Sequence, residues 1–397
     1  MNCKICCETV EKYTNSHLNM LVPNGFPLTG ELALNVCNGC QFVSNLSSAT
    51  EADYVEYYTR LNKHQVRVGD LSVIDKDYFS ELVTFIAENS NFKFLNANVL
   101  DFGSGALLFS ELAKEAGANL ALNFDIGLST IHDVLYDLVV STHTFEHLLD
   151  PAKVFEDLLK LMNHDGYIAI AVPDFSAYSN AYYGPYSHFD LEHINHFSTH
   201  ALVALYERNQ IEIIAVRKGE RRVSPTLAYS EVLLVGKRMA GVPIRNLELV
   251  DFSAEHELQS LVERYETDFK STLEAFNNIV EEAKSVGKSQ IAIYGLSSYA
   301  FRLLHGLKEI GQIDEVDFYG DSDPRLSTYG YAGNPILKKN AFYGYIKDAI
   351  ENGFAVYVVV FAINAYRIVE MFNQECMLGG MKVIALPPDS QNRKDFM

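Results

Sequence analysis

A chain of 397 residues with 51 acidic and 32 basic side chains has a formal net charge of −19, which repels polyanions over most of the surface and excludes nucleic acid as a general partner. Hydrophobic residues make up 48%, aromatics 12% and charged residues 21%, a balance that supports two or three packed domains and excludes wholesale disorder. No apolar run reaches the ~20 residues that span a bilayer, and the stretch from Met1 to Tyr13 lacks the apolar core of a secretory signal, so no membrane partner and a cytoplasmic setting are expected.

Cysteine comes first in chain order. Cys3, Cys6, Cys7, Cys37 and Cys40 crowd the N-terminal end, with Cys376 far from them. In a reducing compartment such clustering points to metal ligation before disulfides. Cys3 with Cys6 and Cys37 with Cys40 form two Cys-x-x-Cys pairs. Two intervening residues let both sulfurs of a pair reach one ion, and two pairs complete a tetrahedron around a structural zinc with no open position. Cys7 competes with Cys6 for its place, and free thiols or a redox pair are the competing readings. The turn-rich stretch "LVPNGFPLTGE" between the pairs is too small to fold on a core of its own. A zinc-binding module over residues 1–50 that folds with its metal is therefore expected.

The next informative stretch is "VLDFGSGALLFSEL". Residues 99–102 read as a buried strand, Gly103 and Gly105 as a turn, and Leu107, Leu108, Leu112 and Ala113 as one face of a helix. The glycines let the backbone bend sharply and approach a ligand, with the helix N-terminus behind them. "LALNFD" is the next strand, and Asp125 at its end suits a ribose diol. After Asp137 come a buried strand, the polar stretch "HTFEH" with His143 and His147, an amphipathic helix, and a strand introduced by Asp165 and Gly166. In α/β sheets ligands sit at the carboxyl ends of the strands, where both histidines fall. Arg217 to Arg222, "RKGERR", is expected as a solvated turn between strands, the alternative being a contact with a substrate phosphate.

"LDFGSG", "FEHLLDP" and "HDGYIAIAVPD", in this order, resemble the first, fourth-strand and fifth motifs of the class I S-adenosylmethionine-dependent methyltransferases. The resemblance places Asp101, Gly103, Gly105, Asp125 and His143 against S-adenosyl-L-methionine, with the glycines under its methionine part and Asp125 on the ribose. Two departures stand out. Leu107 occupies the place of the third glycine, and only "IGLSTIHDVLY" separates Asp125 from the following strand, where the family has a helix, a strand and an adenine contact. The purine side of the seat is expected to be cut short.

The segment after the fifth strand is dense in Tyr178, Tyr182, Tyr183, Tyr186, His188, His193, His196 and His200, groups that donate, accept and stack. "EHINHFSTH" resembles the closing segment of the sugar C-methyltransferases, in which a Glu-His pair lies beside a nucleotide-sugar substrate; Glu192 and His193 stand at the matching places. Methylation at carbon needs a base beside a ketone and a polar group for the enolate oxygen. His193 is the expected base, Glu192 orients its ring, and His143 is a further catalytic candidate. This chain has Asp190 and Leu191 where those enzymes carry Tyr-His, which leaves Tyr186 or His188 as substitutes.

A helix is predicted over residues 253–286, and then the α/β pattern restarts. "GLSSYA" keeps one glycine, Gly295, of the dinucleotide fingerprint, so NAD is not expected. Ser297 and Ser298 cap the following helix or grip a phosphate. Gly295, Asp321, Asp323, Pro324, Gly330, Gly333 and Pro335 resemble the pattern of the C-terminal domain of the same C-methyltransferases, and Asn364, Tyr366 and Arg367 are placed to line a cleft. The expected architecture is α/β: a zinc-binding module (1–50), a methyltransferase-like Rossmann domain (51–250), a helical connector (251–286) and a second, Rossmann-like domain (287–397). The expected function is methylation of a nucleotide-linked keto-deoxysugar by a monomer or homodimer. The alternatives are a degenerate methyltransferase fold that binds a sugar nucleotide or a partner without methyl transfer, and an O- or N-methyltransferase on another small acceptor.

Overall fold

A computed structural model describes residues 2–14, 18–45, 48–61, 73–103, 108–124, 134–180, 188–224, 227–238, 249–331, 333–362, 365–376 and 378–386. Gly105, Leu107, Asp125, Tyr182, Tyr183, Tyr186 and Asn364 lie outside the described residues.

The chain opens with three short antiparallel strands, β1 (Glu11–Thr14), β2 (Ala33–Val36) and β3 (Val43–Asn45), followed by α1 (Glu51–Leu61) and α2 (Val73–Asn89). Then come β4 (Asn98–Phe102), α3 (Leu108–Glu115), β5 (Leu120–Phe124), β6 (Tyr136–Thr142), α4 (Pro151–Lys160) and β7 (Met162–Pro173). A two-residue strand β8 (Asn195–His196) precedes α5 (Thr199–Arg208) and the long hairpin of β9 (Ile211–Ser224) and β10 (Leu227–Arg238). The central sheet runs in the order β5-β4-β6-β7-β10-β9, parallel from β5 to β7 and antiparallel through the hairpin. Among the described residues β5 is therefore its edge, next to the chain that the sequence shows to be short.

Alternation along the strands explains the two cores. Val99, Leu138 and Val140 point to the face covered by α2 and α3, while Leu100, Val139, Ile168 and Ile170 point to the face covered by α4 and α5. A strand buried on both faces carries apolar residues on both, which is why Leu138, Val139 and Val140 run without polar alternation in the middle of β6. α4 starts where Asp150 accepts from the Lys153 amide at 3.0 Å with Pro151 as first helical residue, a side-chain acceptor and a preset φ at the point where orphan amides need them. Two boundaries differ from expectation. β7 begins at Met162, three residues ahead of Asp165, because Met162 already pairs with Tyr136 across an irregularity in the ladder. "RKGERR" is not a turn: all six residues lie inside β9, paired with β10.

The C-terminal half starts with α6 (Ala254–Val286), 33 residues capped by Ser253, whose side chain accepts from the His256 amide. It continues through β11 (Ser289–Tyr294), α7 (Ser298–Glu309), β12 (Phe318–Asp321), β13 (Gly330–Tyr331), β14 (Asn334–Lys338), α8 (Lys339–Glu351), β15 (Ala355–Val360), α9 (Ala365–Glu375) and β16 (Met381–Ala385). The strand order is β13-β14-β12-β11-β15-β16, parallel except for β13. Gly295 takes φ 89° at the end of β11, and its turn is fastened by Asp321, which accepts from the Leu296 amide at 2.5 Å and the Asp323 amide at 2.7 Å. Ser297 stands at the N-cap of α7 but its side chain makes no capping hydrogen bond. No described helix is long and apolar enough to cross a membrane.

Candidate functional site

The four N-terminal sulfurs come together as one cluster. Cys3, Cys6, Cys37 and Cys40 have all ligand atoms within 4.8 Å of one another, with Cys3 to Cys40 at 3.6 Å and Cys6 to Cys37 at 3.4 Å. A tetrahedron of ~2.3 Å metal–sulfur bonds has edges of roughly 3.8 Å, so the spacing fits one ion. The Ile5 amide points at Cys3 Sγ at 3.3 Å, as in a thiolate-binding turn. Cys40 is held far above the usual thiol range, first by its hydrogen bond with Cys3 and then by burial. A cation among the four sulfurs would let them ionise together. Cys6 lies in the cluster, while Cys7 is exposed and outside it.

At the carboxyl end of β4, Gly103 adopts φ 74° and donates its amide to the Phe124 carbonyl at 2.7 Å. A Cβ at this position would lie 2.1 Å from Thr144 Oγ1. The glycine thus lets the end of β4 close onto the turn that follows β6. Asp101 is buried within β4, directly before this turn.

The turn after β6 carries a cluster of polar groups. His143, itself at φ 52°, donates its amide to the Ala171 carbonyl. That left-handed conformation is unfavourable for a side chain with a Cβ and is held here by the groups around it. Its Nε2 is 2.7 Å from Glu231 Oε2 and its Nδ1 is 3.3 Å from Glu146 Oε1. Glu231, on β10, is buried; the Tyr78 hydroxyl donates to Oε2 at 2.5 Å and Arg217 donates to Oε1 at 3.0 Å. Burial alone would raise the Glu231 carboxyl, but the hydrogen bond and charge of His143, with Tyr78 and Arg217, together outweigh it and bring it down to about 2. Glu146 follows the same pattern: burial opposes, and His143, His147 and His193 lower it to about 2.

Around Glu146 the sequence-distant pair Glu192 and His193 closes in. Glu146, His147 and His193 offer donor atoms within 4.8 Å of one another, and the His147 and His193 rings are 4.8 Å apart. His147 Nδ1 lies 3.0 Å from the Glu192 carbonyl, which leaves Nε2 facing Glu146. Asp190 Oδ1 accepts the amides of Glu192 at 2.9 Å and His193 at 2.7 Å, fixing the turn that presents both side chains. The Tyr57 hydroxyl, from α1, donates to Glu192 Oε1. His193 Nδ1 is buried with no partner among the described residues. Burial alone would lower the His193 pKa, but the carboxylates of Asp190, Glu146 and Glu192 together raise it.

The remaining histidines of the segment pack. His188 stacks on Tyr178 at 3.9 Å between ring centres, His196 is fully buried in β8, and His200 lies against Phe252. The structure thus brings His143, Glu192 and His193 into one group. Sequence reading missed Tyr57, Tyr78, Glu146 and Glu231; the only local signal was the acid between the two histidines of "HTFEH".

Residues 74–216, roughly a third of the chain, match the family model of a methyltransferase domain. No curated protein matches the chain. Among solved structures, an S-adenosylmethionine dependent methyltransferase from Mesorhizobium loti is 13% identical, covering 41% of this chain and 100% of its own, with a TM-score of 0.32. A magnesium protoporphyrin IX methyltransferase from Synechocystis with bound SAM is 14% identical, covering 48% of this chain and 99% of its own, with a TM-score of 0.33. Over residues 74–216 the chain is similar to methyltransferase domains; a four-cysteine module stands before that stretch and a second, mostly parallel sheet after it.

Proposed function

We propose that the domain methylates a carbon atom of a nucleotide-linked keto-sugar, with His193 as the base. The observation that carries this reading is the unpartnered, buried Nδ1 of His193 among the carboxylates of Glu146, Asp190 and Glu192. A raised pKa makes a ring nitrogen a stronger base, and a water-poor site sharpens its interaction with the charge it creates. His193 takes the proton from the carbon beside the ketone, and Glu146 and Asp190 stabilise the imidazolium. Glu192, fixed by Tyr57, and His147, fixed by the Glu192 carbonyl, hold the ring's surroundings. His143, bracketed by Glu231 and Glu146, positions the wall between cofactor and acceptor. S-adenosylmethionine supplies an electrophilic methyl group when bound; Asp101, Gly103, Gly105, Asp125 and His143 would line its seat. The four cysteines would hold a structural zinc, in keeping with a reducing, cytoplasmic setting.

Two measurements test the reading. Calorimetric titration with S-adenosylhomocysteine should give binding that weakens in Asp125→Ala, and no binding removes the enzymatic proposal. A keto-sugar nucleotide incubated in deuterated water without methyl donor should take up deuterium at the carbon beside the ketone. Exchange that survives His193→Ala removes that residue as base, and methylation without any exchange favours an oxygen or nitrogen acceptor.

A further inference from the structure

Arg221 is the charged group that the scheme above does not use. The hairpin sets it opposite Tyr229, with Gly219 opposite Glu231 and Arg217 opposite Leu233. Side chains alternate along a strand, so Arg217 and Arg221 share a face, and α2 covers it. The Arg221 guanidinium lies 4.5 Å from the centre of the Tyr78 ring, and that of Arg217 5.4 Å from Phe85.

The two cations are treated differently. Arg217 donates to Glu231 Oε1, while Glu231 Oε2 is already taken by His143 and Tyr78. Arg221 has no hydrogen bond and no carboxylate within ion-pair distance among the described residues, and its Nε is buried without a partner. Glu231 and Asp75 act on it only through space. A guanidinium whose Nε is withdrawn from water gains from an acceptor that completes it, and its planar fork of donors suits an oxyanion.

We propose that Arg221 is the seat for an oxyanion group of the methyl acceptor, which on the reading above, and resting on it, is the diphosphate. Position favours the acceptor over the carboxylate of the cofactor. In the sheet order β9 stands four strands from β4, whose end carries Gly103; at ~4.8 Å per strand that is roughly 19 Å. Tyr229, across the ladder from Arg221, has its ring centre 5.3 Å from that of His143, which the scheme above sets as the wall between cofactor and acceptor, with Arg221 on the side away from β4.

The full-length protein, as wild type, Arg221→Gln, Arg221→Lys and Arg222→Gln, is titrated calorimetrically with inorganic pyrophosphate, S-adenosylhomocysteine and methylthioadenosine, which lacks the amino-acid carboxylate. Pyrophosphate binding should weaken about tenfold or more in Arg221→Gln, the scale of a lost charge-assisted hydrogen bond, and less in Arg221→Lys. It should be unchanged in Arg222→Gln, and the two nucleosides should bind all variants as they bind wild type. Wild type that does not bind pyrophosphate, or equal weakening in Arg221→Gln and Arg222→Gln, overturns the proposal. Selective loss of S-adenosylhomocysteine but not methylthioadenosine in Arg221→Gln moves the seat to the cofactor and overturns the acceptor assignment. Should the glutamine variant not fold, the lysine variant decides: unchanged pyrophosphate affinity there counts against the guanidinium. If wild type binds pyrophosphate through Arg221 but no S-adenosylhomocysteine, the methyltransferase reading fails while the anion seat stands.

Discussion

Gly103 shows how one residue serves two constraints. Its φ of 74° is open to glycine at little cost, and its missing side chain leaves the space that Thr144 occupies. Gly103→Ala should cost about 2–3 kcal/mol, combining a left-handed backbone with a forced shift of Thr144, measured as a loss of denaturation midpoint against wild type. A glycine turn was legible in the sequence; that Thr144 makes its first glycine obligatory was not, because the contact joins two strand ends 41 residues apart. The acids were less legible still. Glu231 meets His143 across 88 residues and Tyr78 across 153, and along β10 it is one polar residue before an apolar run.

Elements explain why the cysteine module is more than an appendage. β3 pairs with β8, so the module's sheet, β1-β2-β3-β8, is completed by Asn195 and His196, two and three residues after His193. Asn195 donates to the carbonyls of Phe145 and Leu148, binding that strand to the turn carrying Glu146 and His147. A metal that holds Cys3 and Cys40 in the α4–α5 core thereby steadies the ladder beside the histidine group. The chain should carry one zinc that survives dialysis. Cys37→Ser or a strong chelator should remove it, lower the melting temperature by several degrees and weaken S-adenosylhomocysteine binding less than stability; a chain without bound metal and unaltered by chelator would contradict this.

Across the whole molecule, the segment after β1 ties the halves together. The Leu21 amide donates to the Phe301 carbonyl and the Asn24 amide to that of Gly330, while buried Arg302 donates to the Leu18 carbonyl. Leu18, Leu28 and Leu34 join the same core as α6 and the C-terminal sheet. Acid should unfold such a structure in two stages. Burial lowers the pKa of His188 to about 3 and lowers His196 and His147 from 6.5 as well. The unfolded chain then binds more protons, and stability falls as pH drops below 6.5. His193 opposes this, since its raised pKa contributes stability below 6.5 that is lost as pH rises through its folded value; the lowered groups, to which burial adds His200, outnumber it. Glu146 and Glu231, both near 2, add stability above 4.5 that is lost between 4.5 and about 2. Thermal melts from pH about 7.5 down to about 5 should show a steady decline, and a flat profile would mean that the buried histidines are charged in the fold.

What the sequence determined by itself is whatever depends on neighbours along the chain. The cysteine pairs, the glycine turn of β4, the helix capped by Ser253 and the alternation of strands and helices all follow from spacing and local conformation. The placement of "RKGERR" inside a strand, the gathering of Cys6 rather than Cys7 with the other sulfurs, and the meeting of Tyr57, Tyr78, Glu146 and Glu231 with the histidines come from the tertiary structure alone. Those groups lie on separate elements, and only sheet order and burial bring their charges within range of one another.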